Sequence, residues 1–271
     1  MKKILLSFVL AFLSVNSFAL TQAQPLPIER CQVHAPYGFP QSAKQLTPIC
    51  RRAYFVGYDA QAKIPQYVMW TLIPQNALGC VARSNAFVAD ASVPNGPRVD
   101  DYTGTGFDKG HMAPNGDMSW DAQVEYESFI MTNMVPQAGS LNRGIWKLLE
   151  TSTRAWVVQT NNNYTIIAGS VYAGGRTIGK GVVVPTAYYK IVINNNTSNL
   201  AAWWFPHIAP YPNLGNDLIK FRIPVSEIIR LTGVKFSLPQ NAVELQPGKE
   251  WPANFEGLVQ AKRIKCGKTT E

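Results

Sequence analysis

Histidine is scarce in this chain: His34, His111 and His207 are the three present in 271 residues. Cysteine occurs four times, as Cys31, Cys50, Cys80 and Cys266, and never in a C-x-x-C pair. No histidine stands at zinc-finger spacing from a cysteine, which excludes the usual structural zinc patterns. Beyond residue 19 there is no apolar run long enough for a transmembrane helix. There is also no internal repeat, no low-complexity tract and no Lys/Arg run, and the last argues against a basic disordered tail. Acidic residues are few, 17 against 25 Lys and Arg, for a net charge of +8. An excess of positive charge favours acidic partners such as nucleic acid or anionic lipid.

The first 19 residues have the form of an export signal. Lys2 and Lys3 precede an apolar run over residues 4–15, and Ser17-Phe18-Ala19 fits a small-x-small cleavage site. Removing the two lysines takes the net charge from +8 to +6. About 250 residues then remain, enough for one full domain with a real core. The expected organisation is a signal peptide over 1–19, an extended N-terminal arm over 20–52 and a catalytic-sized domain over 53–271. A periplasmic or secreted location follows, with no stable membrane association after signal cleavage. In an exported protein an even cysteine count reads as disulfides. Of the three pairings that four cysteines allow, Cys31–Cys50 and Cys80–Cys266 are favoured. The first closes a short loop in the arm, and the second ties the C-terminal tail to the domain.

Residues 53–58 (AYFVGY) and 67–72 (YVMWTL) read as a strand pair. Residues 84–106 form a long loop punctuated by Pro94, Gly96, Pro97, Gly104 and Gly106. Residues 119–132 read as a helix with Ser119 as N-cap, and residues 140–158 as a second, longer one. Strand-like runs follow at 164–171, 182–193 and 200–205, then a short helix over 226–232 stopped by Gly233. Strands, then helices, then strands again give an α+β class with a mixed, mainly antiparallel sheet. Trp146, Trp203 and Trp204 are assigned to the core.

The segment Asp108-Lys109-Gly110-His111-Met112-Ala113-Pro114 concentrates the chemistry. Histidine can be a neutral base near pH 7. Gly110 is expected to let the backbone turn tightly and expose the imidazole. Asn142 and Glu150 lie eight residues apart on the second helix, slightly more than two turns, so both face the same way. An amide oxygen and a carboxylate on one face can share a magnesium ion and its waters. Arg83, Lys109 and Arg143 are candidate phosphate contacts, Arg by two directed bonds and Lys as a point charge. A base, cations and a hard-metal ligand pair are what phosphodiester hydrolysis requires.

Together these residues resemble the DNA/RNA non-specific endonucleases with a ββα-metal (His-Me) finger. The matching stretches are Asp101-Tyr102-Thr103-Gly104, Asp108-Lys109-Gly110-His111-Met112-Ala113-Pro114, Thr132-Asn133-Met134 with Pro136-Gln137, and Leu141-Asn142-Arg143-Gly144 with Trp146 and Glu150. A weaker match runs on through Ile167-Ala168-Gly169 and Val184-Pro185-Thr186, so that residues 50–235 are covered. The resemblance implies a ββα-metal finger carrying the active site. It implies His111 as the base that activates water, Asn142 as direct magnesium ligand and Glu150 as the group that orients metal-bound water. Manganese is the expected substitute, and the expected products carry 5′-phosphate and 3′-hydroxyl ends. It places Asn133 beside the substrate and Arg83 on phosphate. The family has Arg where this chain has Lys109, which keeps the charge and loses the bidentate fork. DNA and RNA are the implied substrates, and a homodimer is left open. Two other functions stay open at this point: a non-catalytic extracellular DNA-binding protein of the same fold, and a phosphodiesterase for small nucleotides.

Overall fold

A computed structural model of the protein describes residues 24–267; the signal-like segment 1–19 lies outside the described residues. The chain forms eleven strands among the described residues: β1 (Thr47–Cys50), β2 (Phe55–Asp59), β3 (Ile64–Leu72), β4 (Phe107–His111), β5 (Met134–Ala138), β6 (Tyr164–Val171), β7 (Thr177–Ile178), β8 (Val182–Val183), β9 (Ala187–Asn194), β10 (Asn199–Pro206) and β11 (Val243–Glu244). The α-helical segments are α1 (Pro74–Ala77), α2 (Asn115–Met118), α3 (Ala122–Ser128), α4 (Gly139–Leu141), α5 (Lys147–Thr160), α6 (Val225–Thr232) and α7 (Phe255–Cys266).

Seven strands make one sheet in the order β1-β2-β3-β6-β9-β10-β11, antiparallel except for the β10–β11 pair. Its central strands read as continuous apolar runs because both faces are covered. Alternate residues of β3 divide between two cores. Val68 and Trp70 join one with Ile166, Val192 and Trp203; Tyr67 and Met69 join the other with Ile167, Ile191 and Ile193. The first core continues into α5 through Leu149, Trp156 and Val157. The second is closed by Cys31 and Ala35 of the arm and by Val225 and Ile228 of α6. Each large apolar side chain buried this way contributes about 1.5–3 kcal/mol. The mixed α+β architecture, mainly antiparallel, is as the sequence indicates. Trp203 lies in the first core and Trp204 packs partly buried against the second.

Several local readings need correction. The described part of the expected arm, residues 24–52, is not simply irregular: it holds a 3-10 turn over Ile28–His34 and supplies edge strand β1. The helix expected over 119–132 is shorter, Ala122–Ser128, and its N-cap is Asp121, whose carboxylate accepts from the amides of Gln123 and Val124. A carboxylate at that position meets two orphan donors and outcompetes Ser119. The run 182–193 is two strands, β8 and β9, because Pro185 cannot donate to a ladder. The second long helix starts at Gly139, is interrupted at Gly144 (φ −98°, ψ −119°) and runs to Thr160, where Asn161 in the left-handed region ends it. Strands β4 and β5 and helix α7 carry no clear period and escape the sequence reading.

The cysteines form Cys31–Cys50 and Cys80–Cys266. The long loop 84–106 is pinned from below. Arg51 Nη2 lies 2.5 Å from Asp90 Oδ2, and the Thr132 hydroxyl donates to the same oxygen at 2.6 Å. Asp101 closes its far end by accepting from the amides of Arg98 and Lys180.

Candidate active site

Strands β4 and β5 form a separate antiparallel ribbon, with His111 opposite Met134 and Phe107 opposite Ala138, and β5 runs directly into the helix α4–α5. This is a ββα unit. Alternation along β4 puts Lys109 and His111 on one face. Gly110 is not at a turn, as the sequence reading has it. It sits in the extended strand, and a Cβ there would lie 2.0 Å from Oε1 of the buried Gln137. The glycine is required by close approach, not by backbone conformation.

His111 is 7% exposed. Its ring stands edge-on to Phe129, with centroids 5.0 Å apart, and 5.7 Å from Phe87. Phe87 and Phe129 are themselves T-stacked at 4.9 Å. The same pair carries the cations: the Arg83 guanidinium lies 4.9 Å over Phe129, and Lys109 Nζ 4.9 Å over Phe87. Two phenylalanines thus hold His111 and both neighbouring cations. Burial, reinforced by the charge of Arg83, holds the His111 pKa down to about 3. The imidazole is therefore neutral at neutral pH, the form a base needs. Its Nε2 is buried without a hydrogen-bond partner among the described residues. The strap bearing Arg83 is fixed by Glu125, a buried carboxylate that accepts from the Ser84 amide at 2.8 Å and from Asn115 Nδ2 at 3.1 Å.

Across the cleft, Asn142 Nδ2 donates to Asp108 Oδ2 at 2.9 Å. That bond engages the NH2 of the amide, which leaves Oδ1 as its acceptor end. Arg143 lies 3.4 Å from the same Asp108 oxygen and is largely exposed. Asn142 and Glu150 do not sit on one regular helical face, because Gly144 breaks the helix between them. Both still line the cleft. Glu150 rests on a buried charge network. Lys190 Nζ is 3.9 Å from its Oε1 and 4.2 Å above the Trp146 ring. Beside them Arg154 pairs with Asp117 at 2.9 Å, and Asp117 also accepts from Trp70 Nε1 at 3.0 Å. Burial raises the Glu150 pKa, and the charges of Lys190 and Arg154 oppose that rise; burial lowers Lys190.

One cleft of ≈ 350 Å³ therefore gathers Arg83, Lys109, His111, Asn142, Arg143 and Glu150. Asn133, expected at the substrate, is not in it. It is fully buried; its Oδ1 accepts from the Ala113 amide, and its Nδ2 donates to the carbonyls of Ala113 and Ser128, all at 2.9 Å. With those three bonds made it braces the chain just after His111, so it is a positioning residue. His207 donates to the Pro185 carbonyl and accepts from the Ala138 amide, and His34 bonds the Arg52 carbonyl; both are structural.

Sequence reasoning did not single out Phe87, Asp117, Glu125, Arg154 or Lys190, and it named Asp108 as part of the motif around His111 without giving it a role. Only Lys190 left a signal, as a cation in the otherwise apolar strand YYKIVIN. Among the described residues no three His, Cys, Asp or Glu side chains are arranged to hold a metal. The oxygen donors at the cleft are the amide of Asn142 and the carboxylate of Glu150. That set fits a hard cation that keeps most of its waters.

The fold and these residues have relatives. The sequence is 32% identical to a "Nuclease" of Nostoc sp. over 225 residues, 75% of this chain and 80% of that one. It is 30% identical to the mitochondrial Endonuclease G of Bos taurus over 219 residues, 74% of this chain and 72% of that one. The structure matches a chain in the crystal structure of the EndoG/EndoGI complex with a TM-score of 0.71 at 24% identity, covering 82% of this chain and 97% of that one; this likeness concerns the fold. The family model described as DNA/RNA non-specific endonuclease matches residues 32–242. With the family model spanning most of the chain and the ββα unit holding its histidine in the cleft, this protein belongs to the DNA/RNA non-specific endonuclease family.

Proposed function

We propose that this chain is an exported, magnesium-dependent endonuclease that cuts DNA and RNA with little sequence preference, in the periplasm or the medium. The observation that carries the reading is the neutral, buried His111 in one cleft with Arg83, Lys109, Asn142 and Glu150. The chemistry assigned to each side chain follows from its setting. His111 takes the proton of the attacking water. Arg83 and Lys109, held on the Phe129 and Phe87 rings, meet the negative oxygens of the phosphate. Asn142, oriented by Asp108, and Glu150, supported by Lys190, hold the metal. When bound, magnesium or its substitute manganese supplies charge neutralisation at the phosphate and stabilises the 3′ leaving oxygen.

A plasmid-nicking assay run with magnesium, with manganese and with excess EDTA, on DNA and on a structured RNA, tests this reading. Nicking of both polymers that needs the divalent ion is the expected result. Full activity in EDTA removes the metal role. Retention of DNA without cutting supports a binding protein of the same fold, and cleavage confined to small nucleotides supports the phosphodiesterase.

A further inference from the structure

Arg176 belongs to none of the sequence stretches that carry the family match, and it does not line the cleft. It stands at the foot of hairpin β7–β8, where its carbonyl accepts from the Val184 amide at 2.8 Å, one step beyond the Thr177–Val183 pair. The hairpin is locked onto its surroundings. The Lys180 amide donates to Asp101 at 2.7 Å, and a Cβ on Gly179 would lie 2.4 Å from the Asp101 Cα. On the other side the Val183 amide donates to the Ala62 carbonyl at 3.0 Å. The backbone beneath Arg176 is therefore fixed, while its side chain is exposed. The guanidinium lies 4.8 Å over the ring of Phe107, the first residue of β4, and Tyr211 packs edge-on to that ring at 5.3 Å. Alternation puts Phe107 on the same face of β4 as Lys109 and His111. Arg83, Lys109 and Arg176 thus rest on three aromatic rings, Phe129, Phe87 and Phe107, in and beside one ribbon. Arg143 reaches the Phe107 end as well, since its guanidinium lies where a Cβ on Gly139 would stand, next to the Ala138 that pairs with Phe107. The carboxylates nearby in the chain are engaged elsewhere: Asp108 with Asn142 and Arg143, Asp101 with the amides of Arg98 and Lys180. Arg176 forms no ion pair among the described residues.

We propose that Arg176 is a substrate-binding residue that contacts a nucleic-acid backbone phosphate flanking the scissile one, outside the cleft at the Phe107 end of β4. The inference rests on the nuclease reading and extends it. Its position relative to the reacting centre follows from the strand. Phe107 lies four residues from His111, which is about 13 Å along an extended chain. A nucleic-acid strand advances about 3.4 Å per phosphate along its axis, so several phosphates separate the two ends. Lys109 stands midway, so the row of cations runs on past the cleft. Arg176 therefore acts on binding and not on the chemical step. A guanidinium stacked on a ring keeps the N–H donors at its edge available for a phosphate, and the ring limits the freedom lost when it binds. Phosphate contacts of this kind fix position and carry no sequence information, in keeping with a non-specific enzyme.

The test is binding of a short fluorescent DNA duplex in EDTA, so that no cleavage occurs, at several salt concentrations. Arg176→Met keeps an unbranched side chain on Phe107 and removes the charge; Arg176→Lys restores the charge. Arg30→Gln, exposed on the arm that closes the opposite core, removes an equal charge elsewhere. Expected for Arg176→Met is binding on the order of tenfold weaker. The slope of log K against log salt should be shallower by about 0.9, the loss of one phosphate contact. Arg176→Lys should recover the slope and most of the affinity, Arg30→Gln should change neither, and KM in magnesium should rise for Arg176→Met with kcat kept. Wild-type affinity and slope in Arg176→Met, or failure of Arg176→Lys to restore the slope, overturns the assignment. An equal loss in Arg30→Gln overturns it too, since the effect is then one of net charge. A fall in kcat with KM unchanged places Arg176 at the reacting phosphate and also overturns it. Wild-type protein that binds the duplex but does not cut it in magnesium refutes the nuclease reading alone, since the binding comparison still stands.

Discussion

Replacing Gly110 by alanine is the change whose cost the structure defines best. The added Cβ would lie 2.0 Å from Oε1, 2.5 Å from Cδ and 2.7 Å from Cγ of Gln137. Gln137 is fully buried on β5, directly across the ribbon from Asp108, and its Cγ would be met as well as its amide, so rotating the amide alone does not clear the space. Overpacking of this kind costs typically about 1–3 kcal/mol. The functional loss should be larger than the stability loss, because the strand that must shift carries Lys109 and His111. Misplacing a reacting group by about 1 Å can cost on the order of 100-fold in rate. The assay is urea unfolding together with single-turnover cleavage for Gly110→Ala, Gln137→Ala and the double variant. Gln137→Ala opens the space, so the double variant should recover most of what Gly110→Ala loses, a strong positive coupling. Additive losses, or a Gly110→Ala protein as active as wild type, would refute the claim that this contact sets the position of the base.

Acid should weaken the fold through its buried histidines. Burial lowers the pKa of His34, His111 and His207 below 6.5, so below that pH the unfolded chain binds protons that the folded one refuses, and stability falls as pH drops. For His111, held to about 3, the loss between pH 6.5 and about pH 4.5 is roughly 2 kcal/mol, and unfolding of His111→Asn in EDTA should show that much less pH dependence. Cys266→Ser should lower Tm by releasing α7, whose bond spans 186 residues, with a cost of roughly 2–5 kcal/mol; an unchanged melt would mean that α7 stays docked without it. Lys109→Arg should keep or raise the single-turnover rate, and Lys109→Ala should lower it by about 10- to 150-fold; an alanine variant as fast as wild type shows that Lys109 does not meet the phosphate.

Much of the candidate site was legible because the residues that line the cleft sit in short, spaced motifs: His111 behind Lys109, then Asn142, Arg143 and Glu150. Their assembly into one cleft was not legible from helical period. The regular helix assumed between Asn142 and Glu150 is broken at Gly144, and the two reach the cleft despite the break. Strands β4 and β5 were hidden because a two-stranded ribbon rich in Gly, Lys, Pro and Gln has no apolar alternation to display. The residues that fix the functional groups were the least visible. Glu125, Asp117 and Arg154 resemble solvated charges in sequence, and burial alone reveals them. Asn133 shows the reverse error, since a polar residue in a matching motif was assigned to substrate when the fold uses it as a brace. The sheet, by contrast, was announced by its own composition. Strands of β-branched and aromatic residues mark a surface buried on both faces, whereas the edge strands β1 and β11 and the break at Pro185 needed the structure to place them.

The central claim is that His111 is the base of a metal-dependent phosphodiester cleavage. Single-turnover cutting of one duplex in magnesium, compared between wild type and His111→Ala with duplex binding in EDTA measured alongside, tests it most directly. The account predicts a rate lower by about 100- to 10,000-fold with binding unchanged. A variant that keeps more than about a tenth of the wild-type rate would contradict it, because a different group would then be taking the proton.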